Sequence, residues 1–254
     1  MTKTKLIAGN WKMNGMPDDS VRRTEQILSF VKSHKQALGD KATVLLCPPA
    51  TLLPLLHPLV KNSPVFLGGQ DCHPQTSGAF TGDISAEMLK NAGCSSVIVG
   101  HSERRAGHGE SDELVAQKAA AVHRTGMTAV ICVGETAEQR AKGLAEKTVR
   151  SQIAASLPVD TLYADNTVIA YEPVWAIGSG ETATREDVET MHGFIRDFLR
   201  KKFPALSEAQ LLYGGSVKGA NAKQILEYEN VDGVLVGGAS LNATEFCKII
   251  EAAL

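Results

Sequence analysis

Eight short apolar runs recur along the chain, and they constrain its fold more than any other feature. They are KLIAGN (5–10), TVLLCPP (43–49), VFLGGQ (65–70), SVIVGH (96–101), AVICVGE (129–135), TVIAYEP (167–173), LLYGGS (211–216) and GVLVGG (233–238). Each is rich in Val, Ile or Leu and does not alternate cleanly with polar residues. Strands covered on both faces, as in a parallel sheet, read this way. Helical periodicity fills the gaps, over residues 21–34, 111–126, 135–157, 184–203 and 243–254. Ser111 and Thr184 stand where N-caps belong, each with a carboxylate soon after, and Gly126 stands where a helix ends. Strands alternating with helices imply βαβ units. Eight such units in 254 residues match a (β/α)8 barrel, and no linker-like composition divides residues 1–254 into more than one domain. The rival is a doubly wound open sheet. It carries GxGxxG after its first strand when it binds a dinucleotide, and GNWKMNG (9–15) does not fit.

A formal charge of -2 offers no footprint for nucleic acid or an anionic membrane as main partner. The opening MTKTKLIAGNWK lacks a signal-peptide core, and no stretch reaches the roughly 20 apolar residues of a membrane span. Cys47, Cys72, Cys94, Cys132 and Cys247 form no CxxC pair, which reads as reduced thiols in a cytoplasmic protein. The histidines show no metal-ligand spacing.

In a barrel, all strand C-termini share one face, and active sites sit there. The first strand would deliver Asn10 and Lys12, the fourth His101, Ser102 and Glu103, and the sixth Glu172. The last two would deliver Gly214-Gly215-Ser216 and Gly237-Gly238. Glu172 reads either as a loop carboxylate that caps a helix or pairs with an arginine, or as a general base whose pKa partial desolvation raises. Lys12 is a solvated lysine or a fixed cation for an anion. His101 is a structural histidine or, at the start of a helix with Ser102 as cap, a neutral imidazole that donates to a carbonyl oxygen. The glycine pairs are turns or a phosphate cradle of bare backbone N–H groups. Cys132 reads as packing. Glu103 reads as a partner of Lys12 or His101, or as a helix-start carboxylate.

GNWKMNG, VIVGHSERR, CVGETAEQRAKG, AYEPVWAIGSGETAT, LLYGGSV and GVLVGGASL follow one another in an order and spacing that resemble the triosephosphate isomerase family, from the first strand to the last helix. The resemblance implies a TIM barrel that interconverts dihydroxyacetone phosphate and D-glyceraldehyde 3-phosphate, in glycolysis and gluconeogenesis, without metal or organic cofactor. Carried over by motif, Glu172 is the base, His101 the electrophile, and Lys12 a substrate-binding cation preceded in the pocket by Asn10. Gly178, Ser216, Gly237 and Gly238 would hold the phosphate, and Glu103 and Cys132 would stand behind the reacting groups.

The resemblance also makes PVWAIGSGETA (173–183) a lid. Pro173-Val174-Trp175 is then a stiff hinge, Ile177 an apolar tip, Gly178 and Gly180 places for close backbone approach, and Thr182-Ala183-Thr184 the lead into the next helix. The competing reading is an apolar loop packed permanently on the surface. The polar stretch GGQDCHPQTSGAFTGDIS (68–85), tipped by Phe80, reads by its residues as an interaction surface or as an intramolecular Ω-loop, and the sequence favours neither; the family's matching loop (71–83 here) enters a second subunit and implies a homodimer. Two rivals to the isomerase remain. Another phosphate-binding barrel enzyme has no reason to keep Lys12, His101 and Glu172 together. A non-catalytic scaffold would lose them freely.

Overall fold

Residues 3–39, 41–158, 160, 163, 165–178 and 182–254 are described in a computed structural model of the chain. Eight parallel strands close on themselves in sequence order: β1 (Lys5–Asn10), β2 (Ala42–Cys47), β3 (Val65–Gly69), β4 (Cys94–Val99), β5 (Thr128–Val133), β6 (Thr167–Tyr171), β7 (Gln210–Tyr213) and β8 (Gly233–Val236). β8 returns to β1 with Ile7 opposite Val234. Each predicted apolar run holds one strand.

The helices are α1 (Pro17–Ser33), α2 (Lys35–Leu38), α3 (Leu53–Val60), α4 (Ala86–Asn91), α5 (Ser102–His108), α6 (Asp112–Arg124), α7 (Ala137–Ala141), α8 (Ala145–Ser156), α9 (Arg185–Lys202), α10 (Ala222–Leu226) and α11 (Ala243–Glu251). Ser111 caps α6 and Thr184 caps α9 as expected; Thr184 and Asp187 form a reciprocal capping box. Three expectations need correction. The stretch 135–157 is two helices, because Gly143 takes a left-handed φ of 68° and ends α7. α1 begins at Pro17, four residues early, since proline is preorganised for the first helical position. His101, not Ser102, is the N-cap of α5: its ring Nδ1 accepts the Glu103 N–H at 3.2 Å.

Apolar side chains form two layers. Leu6, Ala8, Leu45, Ile98, Val130, Cys132, Val168, Ala170, Leu212 and Leu235 pack inside the barrel. The residues between them on the same strands, such as Ile7, Val97, Ile131, Ile169 and Val234, pack outward against the helices. Strands buried on both faces have no polar side to show, which is why their sequences did not alternate. No described helix is long and apolar enough to cross a membrane.

Candidate active site

Parallel strands put every C-terminal end on one face, and there a cavity of about 690 Å³ opens. Asn10, Lys12, His101 and Glu172 line it together with Gly178, Ser216, Gly237 and Gly238. The eight residues expected to meet substrate therefore converge, across more than two hundred residues of chain. Gly180 lies outside the described residues.

Glu172 follows β6 directly and is 2% exposed. Its Oε2 accepts the Ser102 N–H at 2.9 Å, and its Oε1 accepts the Ser102 hydroxyl at 3.0 Å. His101 Nε2 lies 3.0 Å from the same Oε1. The carboxylate thus does cap a helix, at the first residue of α5, and it faces the cavity while doing so. Burial pushes its pKa up, but the His101 and Ser102 donors and the adjacent imidazole outweigh burial and hold it below the ordinary carboxylate value. The expected upward shift is thereby corrected: the environment is dry, yet it is rich in donors.

His101 is oriented from behind. A backbone N–H on Nδ1 needs a lone pair there, so the ring proton of the neutral imidazole sits on Nε2 and points at Glu172. The turn carrying His101 depends on Gly100, whose φ is 66° and where a Cβ would lie 2.8 Å from Val115 methyls. Arg105 anchors α5 below the site by donating to the Gly100 carbonyl (2.8 Å) and the Cys132 carbonyl (3.1 Å).

Lys12 has a left-handed backbone, φ 52°, rare for a residue with a side chain. Its N–H donates to Asn10 Oδ1 at 2.9 Å and its carbonyl accepts from Gln70 at 2.9 Å, which together hold the turn. Such a conformation costs about 1–3 kcal/mol and persists where the surroundings over-determine it. Lys12 Nζ donates to Glu103 Oε1 at 2.5 Å. Glu103 is therefore a partner of Lys12, reaching the cavity through it. Cys132 is fully buried inside the barrel, where burial and the nearby Glu172 carboxylate push its thiol pKa well up. It packs below the site and does not line the cavity.

Beside the Lys12 side chain, Gly237 precedes a 3-10 turn, Gly238–Leu241, whose first N–H groups lack partners within it. A Cβ on Gly238 would meet nothing within 4 Å, so the backbone lies bare to the cavity. Two residues escaped the sequence reading. Gly134 sits under Glu172, where a Cβ would lie 1.8 Å from the Glu172 carbonyl oxygen. Glu135, at once the end of a predicted strand run (129–135) and the start of a predicted helix (135–157), is a fully buried carboxylate beyond β5 and before α7. Its Oε1 accepts from Tyr171 Oη (3.1 Å) and Trp175 Nε1 (2.8 Å). The signal was present: Thr136 and Gln139 form a capping box that starts α7 at Ala137 and leaves Glu135 outside.

Comparison with known proteins bears on the family and the fold. The sequence profile of the family described as triosephosphate isomerase matches residues 5–253. The triosephosphate isomerase of Bradyrhizobium diazoefficiens is 51% identical over 247 residues, covering 97% of this chain and 96% of that protein. That of Rhodopseudomonas palustris is 52% identical over 249 residues, 96% and 95% covered. A crystal structure of triosephosphate isomerase from Bartonella henselae superposes with a TM-score of 0.88 at 42% identity, covering 98% of both chains. With a family profile spanning nearly the whole barrel and relatives at half identity over nearly all of it, the chain belongs to the triosephosphate isomerase family.

Proposed function

We propose that the chain interconverts dihydroxyacetone phosphate and D-glyceraldehyde 3-phosphate by moving a proton between adjacent carbons. One observation carries the reading: an ionised, buried carboxylate, an imidazole N–H and a lysine ammonium face one cavity that ends in bare glycine backbone. Glu172 takes the proton beside the substrate carbonyl and leaves an enediolate. The His101 Nε2–H and Lys12 stabilise the charge that develops on oxygen. The protonated Glu172 then returns the proton to the neighbouring carbon. To do so the carboxylate swings off Ser102, and Gly214 leaves it space, since a Cβ there would lie 3.0 Å from Glu172 Cγ. Asn10 holds the Lys12 turn. Gly178, Ser216, Gly237 and Gly238 take the phosphate.

An enediolate beside a phosphate ester expels the phosphate when water surrounds it, so the reaction needs a cover. The loop from Pro173 to Ala183 is read as that cover. Trp175 sits at its hinge in a 3-10 turn, Val174–Ala176, and Ile177 and Gly178 border the cavity.

A homodimer built through loop 71–83 belongs to the same reading. His73 donates its N–H to the Ile84 carbonyl at 2.8 Å and closes the loop's base. Phe80, 41% exposed, lies against the His73 ring, and Met13 beside the active site is 95% exposed. Met13 and His73, the ring on which Phe80 rests, line a second cavity that shares Lys12 and His101 with the first, and such apolar tips suit a partner copy. A cytoplasmic place in central sugar metabolism follows from the same reading.

The test is isomerase activity on D-glyceraldehyde 3-phosphate, with Glu172→Gln beside the parent. General-base loss is expected to lower kcat by about a thousandfold or more in a folded variant. Activity that survives in the variant removes Glu172 as base. A folded parent that binds phosphate but does not isomerise removes the proposed reaction.

A further inference from the structure

We infer that Arg140, on α7, is a positioning residue that braces both ends of the loop over the cavity. The inference rests on reading that loop as a lid. At the first end, the Arg140 guanidinium carbon lies 4.3 Å from the centroid of the Trp175 ring. Its NH1 stands 3.5 Å from Glu135 Oε1, the oxygen that also accepts the Trp175 indole N–H. At the second end, Thr184 donates its N–H (2.9 Å) and hydroxyl (2.7 Å) to Asp187 Oδ2. Arg140 NH2 pairs with the other oxygen of that same carboxylate. One planar cation therefore holds the first hinge by its flat face and the last by its edge, a division of labour that a guanidinium permits and an ammonium does not.

Two features make this an adjustable brace. The Arg140 side chain is 36% exposed, so its contacts exchange with water at small cost. A groove of about 530 Å³, bordered by Arg140, Trp175, Thr182, Thr184 and Asp187, leaves the indole room to move. When Trp175 leaves the stack, the first hinge is freed while Asp187 still holds the second. Arg140 thereby sets the balance between lid positions without touching substrate.

The chain has two tryptophans, Trp11 and Trp175, so its indole 15N–1H spectrum holds one signal for each. Arg140→Leu is expected to shift and broaden the Trp175 signal and leave the fully buried Trp11 signal in place. Phosphate released per isomerisation is expected to rise about fivefold, the size of a half-exposed stacking contact. Arg140→Lys keeps a cation for Asp187 but loses the flat face, and is expected to reproduce the Trp175 change. Asp187→Asn is expected to raise phosphate release with the Trp175 signal still sharp. These two variants carry the test if Arg140→Leu does not fold. An unchanged Trp175 signal in folded Arg140→Lys overturns the brace at the first hinge. Unchanged phosphate release in folded Asp187→Asn overturns it at the second. A parent that never isomerises, yet shows the Trp175 response, sinks the proposed reaction and leaves the brace standing.

Discussion

Glu135 and Glu172 are near twins by position and opposites by chemistry. Each follows a barrel strand, β5 and β6, at the same end of the barrel, and each is at most 2% exposed. Yet their pKa values move in opposite directions. Burial raises the Glu135 carboxyl, and the neutral donors Tyr171 and Trp175, with Arg140 only 3.5 Å off, do not reverse it. Burial also pushes on Glu172, but the imidazole N–H, the first backbone N–H of α5 and the Ser102 hydroxyl reverse it. Burial alone therefore does not set a carboxylate's role. The donors that face it do, and here they separate the carboxylate proposed for proton transfer from the one that accepts the Tyr171 hydroxyl and the Trp175 indole N–H.

The largest expected break in the comparison is in rate. Glu135→Gln keeps an amide oxygen for Tyr171 and Trp175, so kcat is expected to fall by no more than about tenfold, set against the thousandfold expected for Glu172→Gln. Equal losses in the two would dissolve the distinction.

Stability sharpens it next. Glu135→Leu strands the Tyr171 hydroxyl and the Trp175 indole N–H without an acceptor, and is expected to cost about 1–3 kcal/mol in urea unfolding. The pH dependence of the two sites has opposite sign. Glu172, depressed in the fold, stabilises fully above the ordinary carboxylate value of 4.5 and loses that contribution as pH falls through its folded value. Glu135, raised in the fold, contributes most below 4.5 and loses that contribution as pH rises through its folded value. Stability of the parent against Glu135→Gln, followed from about pH 4 to 7, is expected to show the parent's relative advantage shrinking.

The smallest effect is a titration. Ser102→Ala removes one donor of Glu172 and keeps the backbone N–H. Losing one hydrogen bond of about 1 kcal/mol raises the carboxyl by somewhat under one pH unit, so the acid limb of kcat/KM is expected to move up by that much. An acid limb that stays in place would mean the hydroxyl does not hold the free carboxylate.

The sequence by itself determined the strands, the class of barrel and the face on which chemistry sits. Runs such as TVIAYEP are apolar on both sides, as strands of a sheet covered on both faces are, and they are too short for helices; local caps at Ser111 and Thr184 marked helix starts because they are made within four residues. The motifs also named Glu172, His101 and Lys12. What only the tertiary structure decided depends on partners far away in the chain. His101 and Ser102, some 70 residues from Glu172, together reverse the carboxylate's shift; Gly134 leaves space for the Glu172 carbonyl; Arg140 joins two hinges through Trp175 and Asp187. Electrostatics and close packing are sums over whatever folding brings within a few ångströms, and no local stretch of sequence contains that sum.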